Sequence, residues 1–117
     1  MRHARWKWIN DSEEWASFEA WRAGLPAADQ AELEAGLRML LRYGPDGCSK
    51  VGDDLYAVYA CRLRNVYWII AGIAQPCGRR LLVLAWGTRP TPSSITIAAA
   101  EAAERLRRWR SGSWKGV

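Results

Sequence analysis

Three short apolar runs in the middle of the chain carry its clearest pattern. Residues 55–60 and 66–70 are rich in aromatic and β-branched side chains, and residues 81–86 are continuously apolar. Such runs, bounded by turn residues, are typical of β-strands. The short step Arg64-Asn65 predicts a tight antiparallel hairpin between the first two runs. The proline and glycine within 75–80 predict a second turn before the third run.

Apolar side chains at helical spacing precede these strands. Trp15, Phe18 and Trp21 follow a cluster of possible capping oxygens, so we expect them to face the core of a first helix. Pro26 suits the first turn of a second helix, and Gly44 suits its C-terminal end. The leucines between them share one helical face. Residues 12–43 are therefore predicted to form a helical hairpin, followed by a polar loop at 44–54.

The two ends of the chain complete the predicted order of elements. The alternation in residues 5–9 predicts a short strand. Ser93 or Ser94 is a possible cap for a last, alanine-rich helix over residues 95–110, and we expect residues 111–117 to fray. The predicted fold class is α+β, a single small domain of order β-α-α-β-β-β-α. We expect its antiparallel sheet to carry the helical hairpin on one face and to leave the other face partly open.

Charge is unevenly distributed along the chain. The net charge is +5, yet residues 11–61 hold ten acidic and four basic residues, whereas residues 62–117 hold ten basic and two acidic residues. This asymmetry favours an anionic partner for one face of the domain. A basic surface that only improves solubility is the alternative interpretation.

Several functional classes lack support in the sequence. No apolar run is long enough to cross a bilayer, and the basic start has no apolar stretch behind it, so we expect a cytoplasmic protein. Cys48, Cys61 and Cys77 form no close pair, which favours reduced thiols over a zinc site or a disulfide framework. His3, the only histidine, lies in a segment expected to be flexible. We therefore expect neither a metal nor a cofactor.

The order and hydrophobic pattern of residues 4–110 resemble the RelE/ParE toxin superfamily, above all its HigB-like, phage-derived branch. The resemblance lies in the segments Leu25-Pro26-Ala27-Ala28, 37–44, 52–58, 66–70 and 82–92, followed by the alanine-rich helix. Polar residues that are usual in the family are replaced here, because Ala57, Tyr59 and Trp68 stand at its glutamate and arginine positions. Its lysine-rich segment is reduced to Arg89.

The resemblance implies a toxin of a type II toxin–antitoxin pair that cleaves mRNA on the ribosome without a metal. The implied partners are a helix-turn-helix antitoxin, the ribosome and mRNA. In such cleavage a 2′-hydroxyl attacks the neighbouring phosphate, and cations stabilise the phosphorane. We expect the following residues to serve this chemistry: Arg62, Arg64, Arg89 and Tyr67.

Further basic residues are candidates for contacts with nucleic acid. They lie in the second turn and on the last helix, where tryptophans are interleaved with arginines; they are Arg79, Arg80, Arg107, Arg108, Arg110 and Lys115. An amphipathic helix with solvated arginines explains the helical members equally well. The loss of the family's polar residues leaves a second function open, namely a catalytically degenerate domain that binds a phage or host protein.

Overall fold

The computed structural model describes residues 5–75 and 79–115 of the chain. It shows a small α+β domain, as predicted. Its helices and strands, in chain order, are β1 (Lys7–Trp8), α1 (Glu13–Ala23), α2 (Ala27–Tyr43), β2 (Ser49–Gly52), β3 (Leu55–Arg62), β4 (Asn65–Gln75), β5 (Arg80–Thr88) and α3 (Pro92–Lys115), and a 3-10 turn covers Pro45–Gly47.

The helical hairpin is bounded by the residue types that the sequence indicated. The Ser12 hydroxyl accepts a hydrogen bond of 3.1 Å from the Trp15 backbone N–H, so Ser12 is the N-cap of α1. Pro26 directly precedes α2. At the other end, Gly44 adopts a φ of +82° and donates its N–H to the Leu40 carbonyl. This left-handed conformation favours glycine and ends the helix.

The five strands form a sheet of order β1-β5-β4-β3-β2, in which only β1 runs parallel to its neighbour. The predicted loop at 44–54 is therefore partly wrong, because it contains β2. This edge strand pairs only with the start of β3 and has a bulge before Gly52. Its sequence, Ser-Lys-Val-Gly, has neither the alternation nor the length that identifies a strand.

A helical layer covers each face of the sheet. On one face, Phe18 of α1 and Leu33 of α2 pack against Ile69 and Val83. On the other face, α3 packs its small apolar side chains and Leu106 on a second cluster, which contains Leu55, Ile70, Leu82 and Leu84. The prediction of a partly open sheet face is therefore wrong. Consecutive residues of β4 are apolar and point to opposite faces, so both faces need cover.

The last helix is longer than predicted. Thr91 caps it, since the Ser94 N–H donates to the Thr91 hydroxyl at 3.0 Å, and the Thr91 N–H donates to the Ser94 hydroxyl at 2.9 Å. Pro92 then occupies the first helical position, where its missing N–H costs nothing. The helix continues to Lys115, so the frayed tail predicted from residue 111 is wrong as far as 115. Residues 116 and 117 lie outside the described residues.

None of the helices in the described ranges combines the length and the apolar character that crossing a membrane requires.

The docking of α3 predicts a large effect for one of its side chains. Leu106 is 3% exposed beneath the sheet, and we expect Leu106→Ala to lower the free energy of unfolding by about 2–5 kcal/mol, the range for buried leucines. Ile97, on the same helix, is 62% exposed, and Ile97→Ala should change stability by less than about 0.5 kcal/mol. Urea unfolding followed by tryptophan fluorescence measures both. Equal effects would contradict the docked position of α3.

Candidate nucleic-acid interface

Three of the four predicted catalytic residues lie at one end of the sheet. Arg62 ends β3, Arg64 lies in the turn that follows, and Arg89 follows β5. The Arg89 backbone N–H donates to the Val66 carbonyl at 2.9 Å, which holds the end of β5 beside the start of β4. All three side chains belong to exposed residues. We call the surface formed by Arg62, Arg64 and Arg89 the arginine end.

The turn at this end differs by one residue from the predicted one. Arg62 pairs with Asn65 across the ladder, so the turn consists of Leu63 and Arg64. A strand that continued through residue 64 would place Arg62 and Arg64 on one face, because side chains alternate along a strand. The strand ends at Arg62, and Arg64 belongs to the two-residue turn, so the alternation does not apply to this pair. It is the hairpin tip, and not a common strand face, that keeps the two residues close.

Two residues of this surface have left-handed backbone conformations that side chains disfavour. Leu63 has a φ of +55° and is 90% exposed, and Arg89 has a φ of +52°. A non-glycine residue in this region costs on the order of 1–3 kcal/mol and is found most often at functional segments. Asp54 (φ +60°) and Arg79 (φ +52°), which lie away from the arginine end, share this conformation, so positive φ does not single out this end.

A buried carboxylate lies beneath the arginine end. Asp29, in the first turn of α2, is 4% exposed. It accepts a hydrogen bond of 3.0 Å from the Asn65 side-chain amide and a short one from the Tyr67 hydroxyl. Arg62 Nε lies 3.9 Å from Asp29 Oδ1, which is an ion pair without a hydrogen bond. The Asp29 carboxylate thus ties α2 to the hairpin that carries Arg62 and Arg64.

The sequence did not lead us to predict a role for Asp29. Asp29 is one of several acidic residues on helices α1 and α2, and its hydrogen-bond partners come 36 and 38 residues later. Asp29 lies four positions before Leu33 on an apolar helix face, and a polar residue at that spacing is the one local signal that could have identified it. That signal does not predict which residues donate hydrogen bonds to Asp29.

Tyr67 is part of the core beneath this surface. Its residue is 4% exposed, and its ring contacts Trp21 edge-on with centroids 6.0 Å apart. The hydrogen bond to Asp29, followed by burial and the negative charge of that carboxylate, raises the pKa of the Tyr67 phenol. A catalytic role for Tyr67 stays a prediction, and it would require the hydroxyl to leave Asp29.

The remaining basic candidates lie elsewhere. Arg80 begins β5 and Arg79 precedes it, at the end of the sheet opposite to Arg89. Because β5 has nine residues that rise about 3.3 Å each, the two ends lie about 26 Å apart. The candidates therefore do not form one continuous basic face.

The candidate arginines of α3, Arg107, Arg108 and Arg110, are engaged by acidic neighbours. Arg107 hydrogen-bonds Glu104 and lowers the pKa of that carboxyl, and Arg108 Nε lies 3.9 Å from the same group. Arg110 donates to Asp54 at 2.9 Å and to the Ile73 carbonyl. These contacts support the interpretation of α3 as an amphipathic helix. The side chains of Lys115 and of residues 113 and 114, together with His3 and Cys77, lie outside what the structure describes.

Within residues 5–75 and 79–115, no group of three or more His, Cys, Asp and Glu side chains is arranged to hold a metal ion. Comparison with protein families, curated proteins and solved structures finds no match for this chain. The resemblance to the RelE/ParE superfamily therefore stays a prediction. What bears on function is the placement of the side chains.

The hydrogen bond between Tyr67 and Asp29 predicts that the folded protein loses stability at alkaline pH. The unfolded phenol loses its proton near pH 10, whereas the folded one keeps it because its pKa is raised. The unfolded state then binds fewer protons, so stability falls as pH rises above about 10. Tyr67→Phe should remove this fall and cost about 1–3 kcal/mol at neutral pH, because Asp29 loses a buried donor.

Two measurements check this prediction: urea unfolding between pH 8 and 11, and the tyrosinate absorbance during alkaline titration. The chain has four tyrosines, and we expect the latest titration phase to vanish in Tyr67→Phe. Tyr59 is 43% exposed, so Tyr59→Phe is the matched control and should retain that phase. A late phase that persists in Tyr67→Phe would contradict the assignment.

Proposed function

We propose that this protein is a ribosome-dependent mRNA endoribonuclease, the toxin of a type II toxin–antitoxin pair with a helix-turn-helix antitoxin. The observation that supports this proposal is the convergence of Arg62, Arg64 and Arg89 at the arginine end. Guanidinium groups bind phosphate through paired, charge-assisted hydrogen bonds. The proposal also draws on the resemblance in element order, and it implies a cytoplasmic protein.

The arginine end suits single-stranded RNA better than a folded duplex. It consists of a two-residue hairpin turn and the residue that follows β5, which is a smaller surface than the two successive minor grooves by which proteins recognise double-stranded RNA. Leu63, at the tip between two arginines, is 90% exposed and offers an apolar contact to an unstacked base. Single-stranded RNA presents both phosphates and bases to such a surface.

The proposed chemistry needs stabilisation of negative charge above all. The 2′-hydroxyl oxygen forms a bond to the adjacent phosphorus while its proton passes to water. The bond from phosphorus to the 5′-oxygen then breaks, and that oxygen takes a proton from water, which leaves a 2′,3′-cyclic phosphate and a 5′-hydroxyl. The arginines stabilise the phosphorane between these two steps. Preorganised cations of this kind commonly contribute several powers of ten to a rate.

A second function is favoured by the state of Tyr67. Tyr67 is the proton donor that we expected to act beside the arginines. The residue is buried, however, and its hydroxyl already donates a hydrogen bond to Asp29. In this second function the domain is catalytically degenerate and binds a phage or host protein without cleaving RNA. The two functions differ in one observable, the integrity of the mRNA in a translation reaction.

The test uses the full chain in a reconstituted translation reaction with a defined mRNA. We expect translation to stop and primer extension to reveal cuts in the message on the ribosome. Arg62→Ala, Arg64→Ala and Arg89→Ala combined should slow cleavage at least 100-fold. The affinity for single-stranded RNA should also become less dependent on salt. Each phosphate contact adds about 0.7 to the steepness of a plot of log affinity against log salt concentration, so the loss of three contacts should reduce that slope by about two.

Lys50→Ala is the control for loss of a cation, since Lys50 is exposed on the edge strand β2, outside the arginine end. It should leave both quantities unchanged. Arrest without cuts that still depends on the three arginines would favour the non-cleaving function. Arrest and cleavage that survive the triple substitution would exclude the arginine end as the site.

A further inference from the structure

A groove with four cations lies between residues 5–7 and helix α2. Its volume is about 530 Å³. Arg5 and Lys7 flank it on the side of β1, and Arg38 and Arg42 flank it on the side of α2. The Trp6 backbone N–H donates to the Leu41 carbonyl at 3.0 Å, which holds the two sides together. We call this feature the cationic groove.

The four cations are exposed, and they make no ion pair with any carboxylate in the part of the chain that the structure describes. Arg42 has a cation–π contact, with its guanidinium carbon 5.4 Å from the centroid of the Tyr43 ring. A cation in the last turn of a helix is explained by the helix dipole, which accounts for Arg42. It does not account for Arg5 and Lys7 on the other side.

The lining between the cations is apolar. It consists of Trp6, Ala35, Met39 and Leu41. Met39 is 56% exposed, and flexible methionines are typical of surfaces that bind peptides. A floor of this kind between two rows of positive charge matches a ligand that is both apolar and acidic.

The spacing of the cations favours a helical ligand. Arg38 and Arg42 are one helical turn apart, a rise of about 6 Å. Arg5 and Lys7 are two residues apart on an extended segment, about 6.6 Å. Carboxylates at positions i and i+4 of a docked helix repeat at about 6 Å and so match both rows. Phosphates of a nucleic acid also repeat regularly, and Trp6 offers a stacking surface for a base, but the other three apolar lining residues are aliphatic and match the apolar face of a helix better.

We propose that the cationic groove is a docking site for an acidic amphipathic helix of a partner protein. The apolar face of that helix packs on Met39 and Leu41, and its glutamates or aspartates face the two rows of cations. This is a helix-in-groove mode of recognition with charge complementarity at the rim. The proposal does not rest on the proposed function. Lys7 pairs with Arg80, so the groove reaches the end of the sheet opposite to the arginine end.

The experiment measures fluorescence anisotropy of a labelled probe with the full chain. The probe is a helical peptide of about five turns that carries glutamates at i, i+4 beside a leucine stripe. We expect saturable binding in the micromolar range that weakens with salt. The same peptide with glutamine in place of glutamate should bind at least tenfold more weakly. Binding of both peptides with equal affinity, or no saturation at millimolar protein, would overturn the proposal.

Charge reversal locates the site. Arg38→Glu with Arg42→Glu should weaken binding of the acidic probe at least tenfold and should create binding of a lysine version of the probe. Arg107→Glu with Arg108→Glu makes the same charge change on α3, across the sheet, and should leave both affinities unchanged. Equal losses in the two double variants would mean that net charge alone attracts the probe, which would overturn the proposal.

A second variant and a second ligand complete the test. Arg5→Glu with Lys7→Glu reverses the other row and should have the same effect, while circular dichroism verifies that each variant is folded. A single-stranded oligouridylate of the same net charge as the acidic probe is titrated in parallel. If it binds at the groove more tightly than the peptide and loses affinity with Arg38 and Arg42, the groove is a nucleic-acid site and the docking proposal is wrong.

Discussion

The apolar character of β4 on both of its faces is the constraint on which this structure depends. Ile69 and Ile70 are adjacent in sequence, point to opposite sides of the sheet, and are both fully buried. One side requires the α1–α2 hairpin and the other requires α3. Because both faces are covered, a polar side chain can meet a ligand only at the ends and edges of the sheet or on the outer surfaces of the helices. The arginine end and the cationic groove both occupy such positions.

Asp29 shows how one of these ends is held in place. A carboxylate that is nearly excluded from water is costly unless donors surround it. Tyr67 and Asn65 supply two donors, and the first turn of α2 adds the favourable field of a helix N-terminus. The same interactions join the helical layer to the β3–β4 hairpin. The exposed tip with Arg62 thus rests on an ordered, buried base, although the tip itself has few contacts.

Periodicity predicted most of the fold, because apolar spacing reports directly on burial. It identified the hairpin of α1 and α2 and the three long strands. It missed β2, whose residues become a strand only through pairing with β3. It also left one sheet face open, although the continuous apolar run of β5 and the spacing of Ala98, Ala102 and Leu106 already indicated a second layer. The convergence of the three arginines followed from the order of the strands. The partners of Asp29 did not, because contacts between distant segments leave no local pattern.

The parallel pairing of β1 with β5 has a consequence for how the chain reaches its native state. The two strands come from opposite halves of the chain. Lys7 pairs with Arg80, so most of the chain lies in the loop between the two paired residues. Closing so long a loop lowers the conformational entropy of the chain, whereas the two paired positions add only a few hydrogen bonds. During synthesis this edge must wait until β5 has left the ribosomal tunnel. The backbone amides of β1 should accordingly be among the last to become protected from hydrogen exchange.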